Sequence, residues 1–466
     1  MYFNSNEKEK IIVIGGNVSG LAAASQARRN APDAEITVLE SGEYISYGTC
    51  ALPYFISGIV NDFNKLFTYS PEFFIKERNI GILLGHKVVK LSPQKREVFI
   101  QTINSHELKT LIYDKMIICS GSSPVDINAS GLDAENSFYF RNISDALGVK
   151  NYINKNNPKT ASVIGGGSIG ILVAEALTKI GIKVTIIEKS PTIFNDFENE
   201  ISSILYKKVK LDGVEILNNS SLNSVLKNDN NIIRSISIKN EEKSDSISTD
   251  LVMICTGAIA NTDFTEGTSI ELGKNKAIKT SSKLQIAYSN IFAAGDCCCV
   301  KNIITGKYDF IPTANNAAKM GRIAGENATG GNDIFPGSVG TKADKAFDFE
   351  IARTGISFKD TLEMQLNAVK ITESYGSHAK AIPGAETITI TLIVDFKSRK
   401  ILGAQMIGKE GVTKRIDIFA AAITAQMTVD DVYMLDLSYS PGTSTVWDPV
   451  NKICGRAILE LAKRRF

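Results

Sequence analysis

The feature that most limits what this chain can fold into is a glycine-rich turn that occurs twice, about 150 residues apart, each time between a short apolar run and a stretch of helix formers. In the first copy residues 11–14 run into Gly15-Gly16-Asn17-Val18-Ser19-Gly20. Residues 21–29 follow, rich in alanine, and then an apolar run 36–40 that ends in Glu40. In the second copy residues 161–164 lead into Gly165-Gly166-Gly167-Ser168-Ile169-Gly170, a helical stretch with Glu175, and a run 184–188 that ends in Glu188. An all-apolar run ending in glycine fits a buried parallel strand better than an alternating edge strand. Each copy therefore reads as a β-α-β unit. A dinucleotide site needs these parts. The glycines let backbone N–H groups approach a pyrophosphate, the helix N-terminus supplies partial positive charge, and the acid binds ribose hydroxyls. Asn17 replaces the middle glycine of the G-x-G-x-x-G pattern in the first copy; the second copy is complete. One such turn is a weak signal, and two with the same surroundings make a strong one.

A second internal echo links residues 113–121 with residues 249–257. Each is a short apolar strand running into Ser/Thr-Gly, at Gly121 and Gly257, with Cys119 and Cys255 at matching places. Such strands carry a chain between two nucleotide domains, and both cysteines read as buried strand residues. Residues 289–296 form a further strand ending in Gly295-Asp296, where α/β sheets bind ligands. Residues 311–322 read as a helix of small residues able to pack closely on a bound cofactor. Residues 329–337 are loop-like and mark a domain boundary. Beyond them the period changes. Residues 386–395 alternate like an antiparallel strand, residues 400–408 pair with it across the Lys397-Ser398-Arg399 turn, and residues 416–427 read as a helix. The expected architecture is α/β, with two Rossmann-like domains and a C-terminal α+β assembly domain. The divisions are 8–120 with 255–330, then 121–254, then 336–466.

Length and composition agree. A chain of 466 residues predicts roughly three domains. A net charge of +2 gives no support for a nucleic-acid or membrane-surface role. Seven cysteines without regular spacing are no disulfide framework. Residues 1–10 lack the apolar core of a signal peptide, and no apolar run is long enough to span a bilayer, which together point to the cytoplasm.

Ser46-Tyr47-Gly48-Thr49-Cys50-Ala51-Leu52-Pro53-Tyr54 holds one cysteine after the first nucleotide unit. Position 55, where a C-x4-C pair would close, is Phe55. A lone thiol beside a nucleotide site points to redox chemistry through one sulfur; the alternative is a buried structural cysteine. Cys297, Cys298 and Cys299 directly follow Asp296 and raise the alternative of a soft metal ion, although alternating strand side chains rarely converge on one ion. Cys454 in the tail could approach Cys50 of a partner subunit.

Two dinucleotide units, the Gly-Asp strand and the α+β tail resemble the flavoprotein pyridine nucleotide-disulfide reductases over nearly the whole chain. Cys50-Ala51-Leu52-Pro53-Tyr54, Tyr69-Ser70-Pro71-Glu72, residues 408–417, Tyr439-Ser440-Pro441 and Asp448-Pro449-Val450-Asn451 are similar to the single-cysteine branch. That branch contains coenzyme A disulfide reductases, NADH oxidases, NADH peroxidases and persulfide reductases. The resemblance assigns Gly15, Gly16, Ser19, Gly20, Glu40 and Asp296 to FAD, and Gly165, Gly167, Gly170 and Glu188 to NAD(P)H. Gly121 and Gly257 complete the cofactor-binding set. Glu188 favours NADH; Lys189 beside it leaves NADPH open. Oxidases and peroxidases of the branch carry a histidine in the first glycine turn, where this chain has Val18, and none of His86, His106 and His378 falls there. The coenzyme A disulfide reductases use two tyrosines of the partner subunit. One matches Tyr439; the other should follow His378-Ala379-Lys380, where this chain has Ala381-Ile382. Arg28 and Arg29 lie where relatives hold coenzyme A phosphates. The resemblance thus implies a homodimeric FAD-dependent NAD(P)H oxidoreductase that reduces a low-molecular-weight disulfide or persulfide through Cys50, with Tyr439 protonating the leaving thiolate. A flavin or a helix N-terminus near Cys50 would lower its pKa. NADH oxidase or peroxidase activity and a metalloid reductase built on the cysteine triplet are the alternatives.

Overall fold

The two apolar glycine-ended runs become the central strands of two parallel sheets. In the computed structural model, which describes residues 8–127, 129–240 and 244–464, Lys10–Ile14 lies between Glu35–Leu39 and Lys115–Ile118. Gly81–Leu83 and Ile291–Ala293 close the edges of this sheet. Thr160–Ile164 lies likewise between Lys183–Ile187 and Leu251–Ile254, with Glu215–Leu217 and Ser137–Tyr139 outside. Both are five-stranded, and all pairings within them are parallel. Two antiparallel strands, Ser122–Pro124 and Ala258–Ala260, form the ribbon where the chain passes out of the first sheet and later returns. The tail folds around a five-stranded antiparallel sheet in the order Lys342–Ala346, Phe349–Gly355, Ile401–Gly408, Thr387–Asp395, Ala368–Gly376. Its two long helices are Val412–Thr424 and Pro449–Lys463. The α/β fold with an α+β tail is as expected from the sequence, and among the described residues no helix is long and apolar enough to cross a membrane.

The glycines repeat in conformation as well as in sequence. Gly15 has φ +107° and Gly165 φ +106°. A Cβ at Gly20 would stand 1.8 Å from the Gly15 carbonyl oxygen, and one at Gly170 would stand 1.9 Å from that of Gly165. A Cβ at Gly167 would meet nothing within 4 Å. That open space explains why Asn17 is accepted at the equivalent place, where its backbone is extended at φ −115°. The turn needs glycine at its first and last positions, and the middle one is sterically free.

Two elements differ from expectation. The helix expected at 311–322 spans Ala314–Ala328, and its glycines meet the helix Val18–Asn30: a Cβ at Gly321 would lie 2.2 Å from the Ser19 carbonyl, and one at Gly325 2.3 Å from that of Ala23. Small residues here set the approach of Val18–Asn30 to Ala314–Ala328. The helix expected at 416–427 begins earlier, at Val412, because Gly411 turns the chain with φ +72°. Gly170→Ala should therefore lower stability by about 1–3 kcal/mol, the usual cost of overpacking, while Gly167→Ala leaves the thermal midpoint unchanged. Differential scanning calorimetry of the two variants checks the contrast.

Candidate functional site

Each acid that ends the second strand of a unit is spent on the glycine turn. Glu40 Oε2 accepts from the Gly16 amide at 2.8 Å, and Glu188 Oε2 accepts from that of Gly166 at 2.6 Å. The second oxygens accept from Gly42 and Ser190 at 2.7 Å each. A carboxylate has about four lone-pair sites, so both acids keep capacity for ribose hydroxyls. The helices that follow, Val18–Asn30 and Ser168–Lys179, have no side-chain cap and no acid in the first turn. Helices at Ile143–Asn156, Phe358–Glu363 and Pro449–Lys463 are capped by Asn142, Ser357 and Asp448. The two glycine-turn helices thus keep their first N–H groups and positive dipole ends for an anion. Three buried polar atoms near the first turn lack a partner: Asn17 Oδ1, Thr313 Oγ1 and Asn316 Nδ2. Unspent helix termini and orphaned polar atoms suit a dinucleotide with further hydrogen-bonding edges.

Cys50 sits in the single turn Thr49–Ala51, which leads into the short helix Leu52–Ile56. Leu52 and Ile56 are fully buried and pin that turn, and Lys150 Nζ caps the helix end on the carbonyls of Phe55 and Ile56 at 3.1 and 3.0 Å. Of the seven cysteines, all within the described residues, Cys50 alone is exposed. Its thiol is nevertheless pushed up from the ordinary value, first by desolvation and then by the carboxylate of Asp344, with Arg141 opposing. The protein alone therefore does not activate this sulfur, contrary to the expected lowering, because the adjoining helix is one turn long and the nearest charges include two carboxylates. Arg141 Nη2 pairs with Asp296 at 2.8 Å and donates to Ser122 Oγ at 2.6 Å. Burial raises Asp296 and Asp344; Arg141 opposes the shift at Asp296.

Beside this turn opens a cleft of about 480 Å³. Ser46, Tyr47 and Gly48 form one wall, and Val18 and Asn17 belong to its lining. Arg29, Arg78 and Arg322 bring three cations to it, and Tyr69 stacks on Phe73 with centroids 4.5 Å apart. Arg29 is brought to the cleft as expected. Arg28 is not: its guanidinium donates to the carbonyls of Arg78, Ala31, Pro32 and Asn79. Arg141, Arg78, Arg322 and Asp344 were not assigned from sequence, because each comes from an element outside the glycine units and only folding brings them near.

The remaining candidates separate clearly. Cys119 and Cys255 are buried as expected; burial pushes the Cys255 thiol up to about 12. The three adjacent cysteines are buried; Cys297 Sγ and Cys298 Sγ lie 3.7 Å apart, and Cys299 turns away from them. Cys297 Sγ reaches the carbonyls of Ile118 and Ala294, while Cys299 Sγ reaches that of Ala277, at 3.4 Å each. Among the described residues no group of three metal-type side chains forms, so the triplet offers no shared ion site. Cys454 is fully buried in the core of the tail, which overturns its expected approach to Cys50 of a partner. Tyr439 and Ile382 are 49 % and 40 % exposed, on loops of the tail.

Comparison with known proteins places this geometry. Residues 9–321 match the pyridine nucleotide-disulphide oxidoreductase family, and residues 345–449 match its dimerisation domain. The NAD(P)H sulfur oxidoreductase (CoA-dependent) of Pyrococcus furiosus is 32% identical over 95% of this chain and 98% of its own. The crystal structure of reduced Bacillus anthracis CoADR-RHD superposes with a TM-score of 0.93 at 31% identity, covering 98% of this chain and 81% of that one. The water-forming NADH oxidase of Lactobacillus brevis, bound to NADH, gives a TM-score of 0.93 at 26% identity, covering 98% and 100%.

A raised thiol pKa means little thiolate near neutrality and more as pH rises. In cofactor-free protein, alkylation of Cys50 by iodoacetamide should therefore climb with pH through a midpoint above the ordinary 9.0. Asp344→Asn should move that midpoint down and Arg141→Gln should move it up.

Proposed function

The chain belongs to the pyridine nucleotide-disulphide oxidoreductase family, and we propose that within it the chain is a FAD-dependent NAD(P)H oxidoreductase that reduces a coenzyme A-type disulfide or persulfide through Cys50. The observation that carries this is one exposed sulfur, Cys50, two residues from the wall of a cleft supplied with three arginines. Arg29, Arg78 and Arg322 suit the phosphates of a nucleotide-bearing thiol, since guanidinium forks match phosphate oxygens. Gly15, Gly16, Ser19, Gly20, Glu40 and Asp296 would hold FAD with Gly121, and Gly165, Gly167, Gly170 and Glu188 would hold the nicotinamide dinucleotide with Gly257. FAD, when bound, carries the electron pair from the nicotinamide to sulfur.

The chain's own residues account for the rest. The Cys50 thiolate attacks one sulfur of R–S–S–R, forming Cys50–S–S–R and expelling RS⁻. The Tyr439 hydroxyl, contributed by the partner subunit of a homodimer, protonates that leaving thiolate. Return of Cys50 to its thiolate releases the second RSH, so that R–S–S–R, NAD(P)H and one proton become two RSH and NAD(P)⁺. With a persulfide R–S–SH, attack on the outer sulfur forms Cys50–S–SH and expels RS⁻, and return of Cys50 to its thiolate, with the electron pair from NAD(P)H, releases sulfide. Arg141 holds positive charge near the Cys50 sulfur and opposes the two carboxylates there. Val18, 40 % exposed in the cleft, places no proton carrier where oxidases and peroxidases of the branch carry histidine.

Protein purified in air without added thiol should carry a coenzyme A adduct or an added sulfur on Cys50, removed by NADH; a sulfenic acid with no adduct would overturn the reading in favour of oxygen or peroxide. Cys50→Ser should abolish disulfide reduction while leaving reduction of bound flavin by NADH intact. Tyr439→Phe should lower kcat by about 100-fold, as loss of a general acid does, measured by thiol release.

A further inference from the structure

One buried guanidinium joins the two loops of the tail on which Tyr439 and Ile382 stand. Arg415, on Val412–Thr424, is 8 % exposed, and its partner Asp448 is 7 % exposed. Arg415 Nε donates to both Asp448 oxygens, at 3.2 and 2.9 Å. Nη1 donates to the Gly411 carbonyl at 3.0 Å. Nη2 reaches the Ser377 carbonyl at 3.0 Å, the Thr443 carbonyl at 3.3 Å and Ser444 Oγ at 3.4 Å. Ser444 Oγ in turn donates to Asp448 at 2.7 Å. Asp448 also caps Pro449–Lys463 through the Val450 amide at 2.9 Å. The turn immediately after Tyr439 closes on the Ser440 carbonyl, which accepts from the amides of Thr443 and Ser444 at 2.9 and 3.0 Å. Arg415 therefore grips the foot of the turn that Tyr439 enters. The two loops also touch directly, where the Ala379 amide donates to the Pro441 carbonyl at 3.1 Å.

We infer that Arg415 is a positioning residue for the reduction of the substrate disulfide, holding the Tyr439 loop and the 377–382 loop in one fixed relation. The inference rests on the role of Tyr439 proposed above. A helix-to-helix ion pair would need only the two contacts to Asp448. Here the planar fork also spends donors on carbonyls from two separate loops, a geometry that a lysine, with its compact charge, cannot reproduce. Tyr439 itself is half exposed, and its hydroxyl has no hydrogen bond among the described residues, so its placement follows the turn beneath it. Precise placement matters at a reacting centre, where a displacement of about 1 Å can cost on the order of 100-fold in rate.

The chain contains a single tryptophan, Trp447, in the same loop, stacked on Tyr433 with ring centroids 4.9 Å apart. It reports the loop without reference to catalysis. In Arg415→Lys holoenzyme, acrylamide quenching of Trp447 fluorescence should rise, and kcat for disulfide reduction should fall about tenfold or more, with the rate of flavin reduction by NADH unchanged. The double variant Arg415→Lys/Tyr439→Phe should turn over no more slowly than Tyr439→Phe alone, because both changes remove one contribution. Ser444→Ala, which deletes the hydroxyl's contacts to Arg415 and Asp448 and keeps the ion pair, should repeat the pattern in smaller measure and serves if Arg415→Lys fails to fold. Unchanged quenching in the folded variant, or losses that multiply in the double variant, would overturn the inference. A Tyr439→Phe enzyme of normal kcat would instead overturn the role of Tyr439, and the quenching result would then still decide whether Arg415 holds the loop.

Discussion

The rest of the structure depends on a carbonyl-to-glycine contact made twice. Gly15 lies so close to the Cys119 carbonyl that a Cβ would stand 2.2 Å from it, and Gly165 lies likewise against Cys255, at 2.6 Å. These contacts let the turn fold back under the neighbouring strand. The helix then starts with its first amides aimed past the ends of the strands. The acid from the next strand locks the same turn from the other side. Once both turns are closed, two anion-binding helix ends are fixed, and the Cys50 segment and the three-arginine cleft lie beside the first of them.

The chemistry then follows from which sulfur is left reachable. Six cysteines are buried in strands or cores, out of reach of a substrate. Cys50 escapes because a one-turn helix, pinned by Leu52 and Ile56 and capped by Lys150, carries it outward. Its charges come from three separate parts of the chain: Arg141 after the connecting ribbon, Asp296 at the end of the last strand of the first sheet, and Asp344 from the tail. The pairing of Arg141 with Asp296 joins one nucleotide unit to the other at this point. A part-buried ion pair of this kind offers modest net stability but fixes relative position, which a reaction passing electrons between two cofactors requires.

The tail works by a similar economy. Its sheet and helices form a core of their own, with Ala346, Phe347, Ile351 and Ile407 packed into the core of the second nucleotide unit, while the loops that stand out from it carry half-exposed Tyr439, Trp447 and Ile382. Exposed large side chains on rigid feet are what a subunit that contributes to another's site would present. The feet are made rigid by polar groups buried in full hydrogen-bonded partnership around Arg415 and Asp448.

Much of this was legible in the sequence, and for a definite reason. Glycine at Gly15, Gly20, Gly165 and Gly170 is demanded by local backbone geometry, so the two units, their order and the fold class are written in the chain itself. The lone Cys50, without a partner at Phe55, equally announced single-sulfur chemistry. What the sequence could not settle were matters of distance between separated segments. That Gly321 and Gly325 serve a helix crossing shows only in the fold; Arg28 and Arg29 look alike in the chain, yet one is consumed by backbone carbonyls and the other lines the cleft. Cys454 stands near a recognisable motif but faces inward. Local sterics determined the two nucleotide turns. Only tertiary structure decided which charges surround Cys50 and which arginines reach the cleft, because burial and pairing depend on segments that meet solely when the chain is folded.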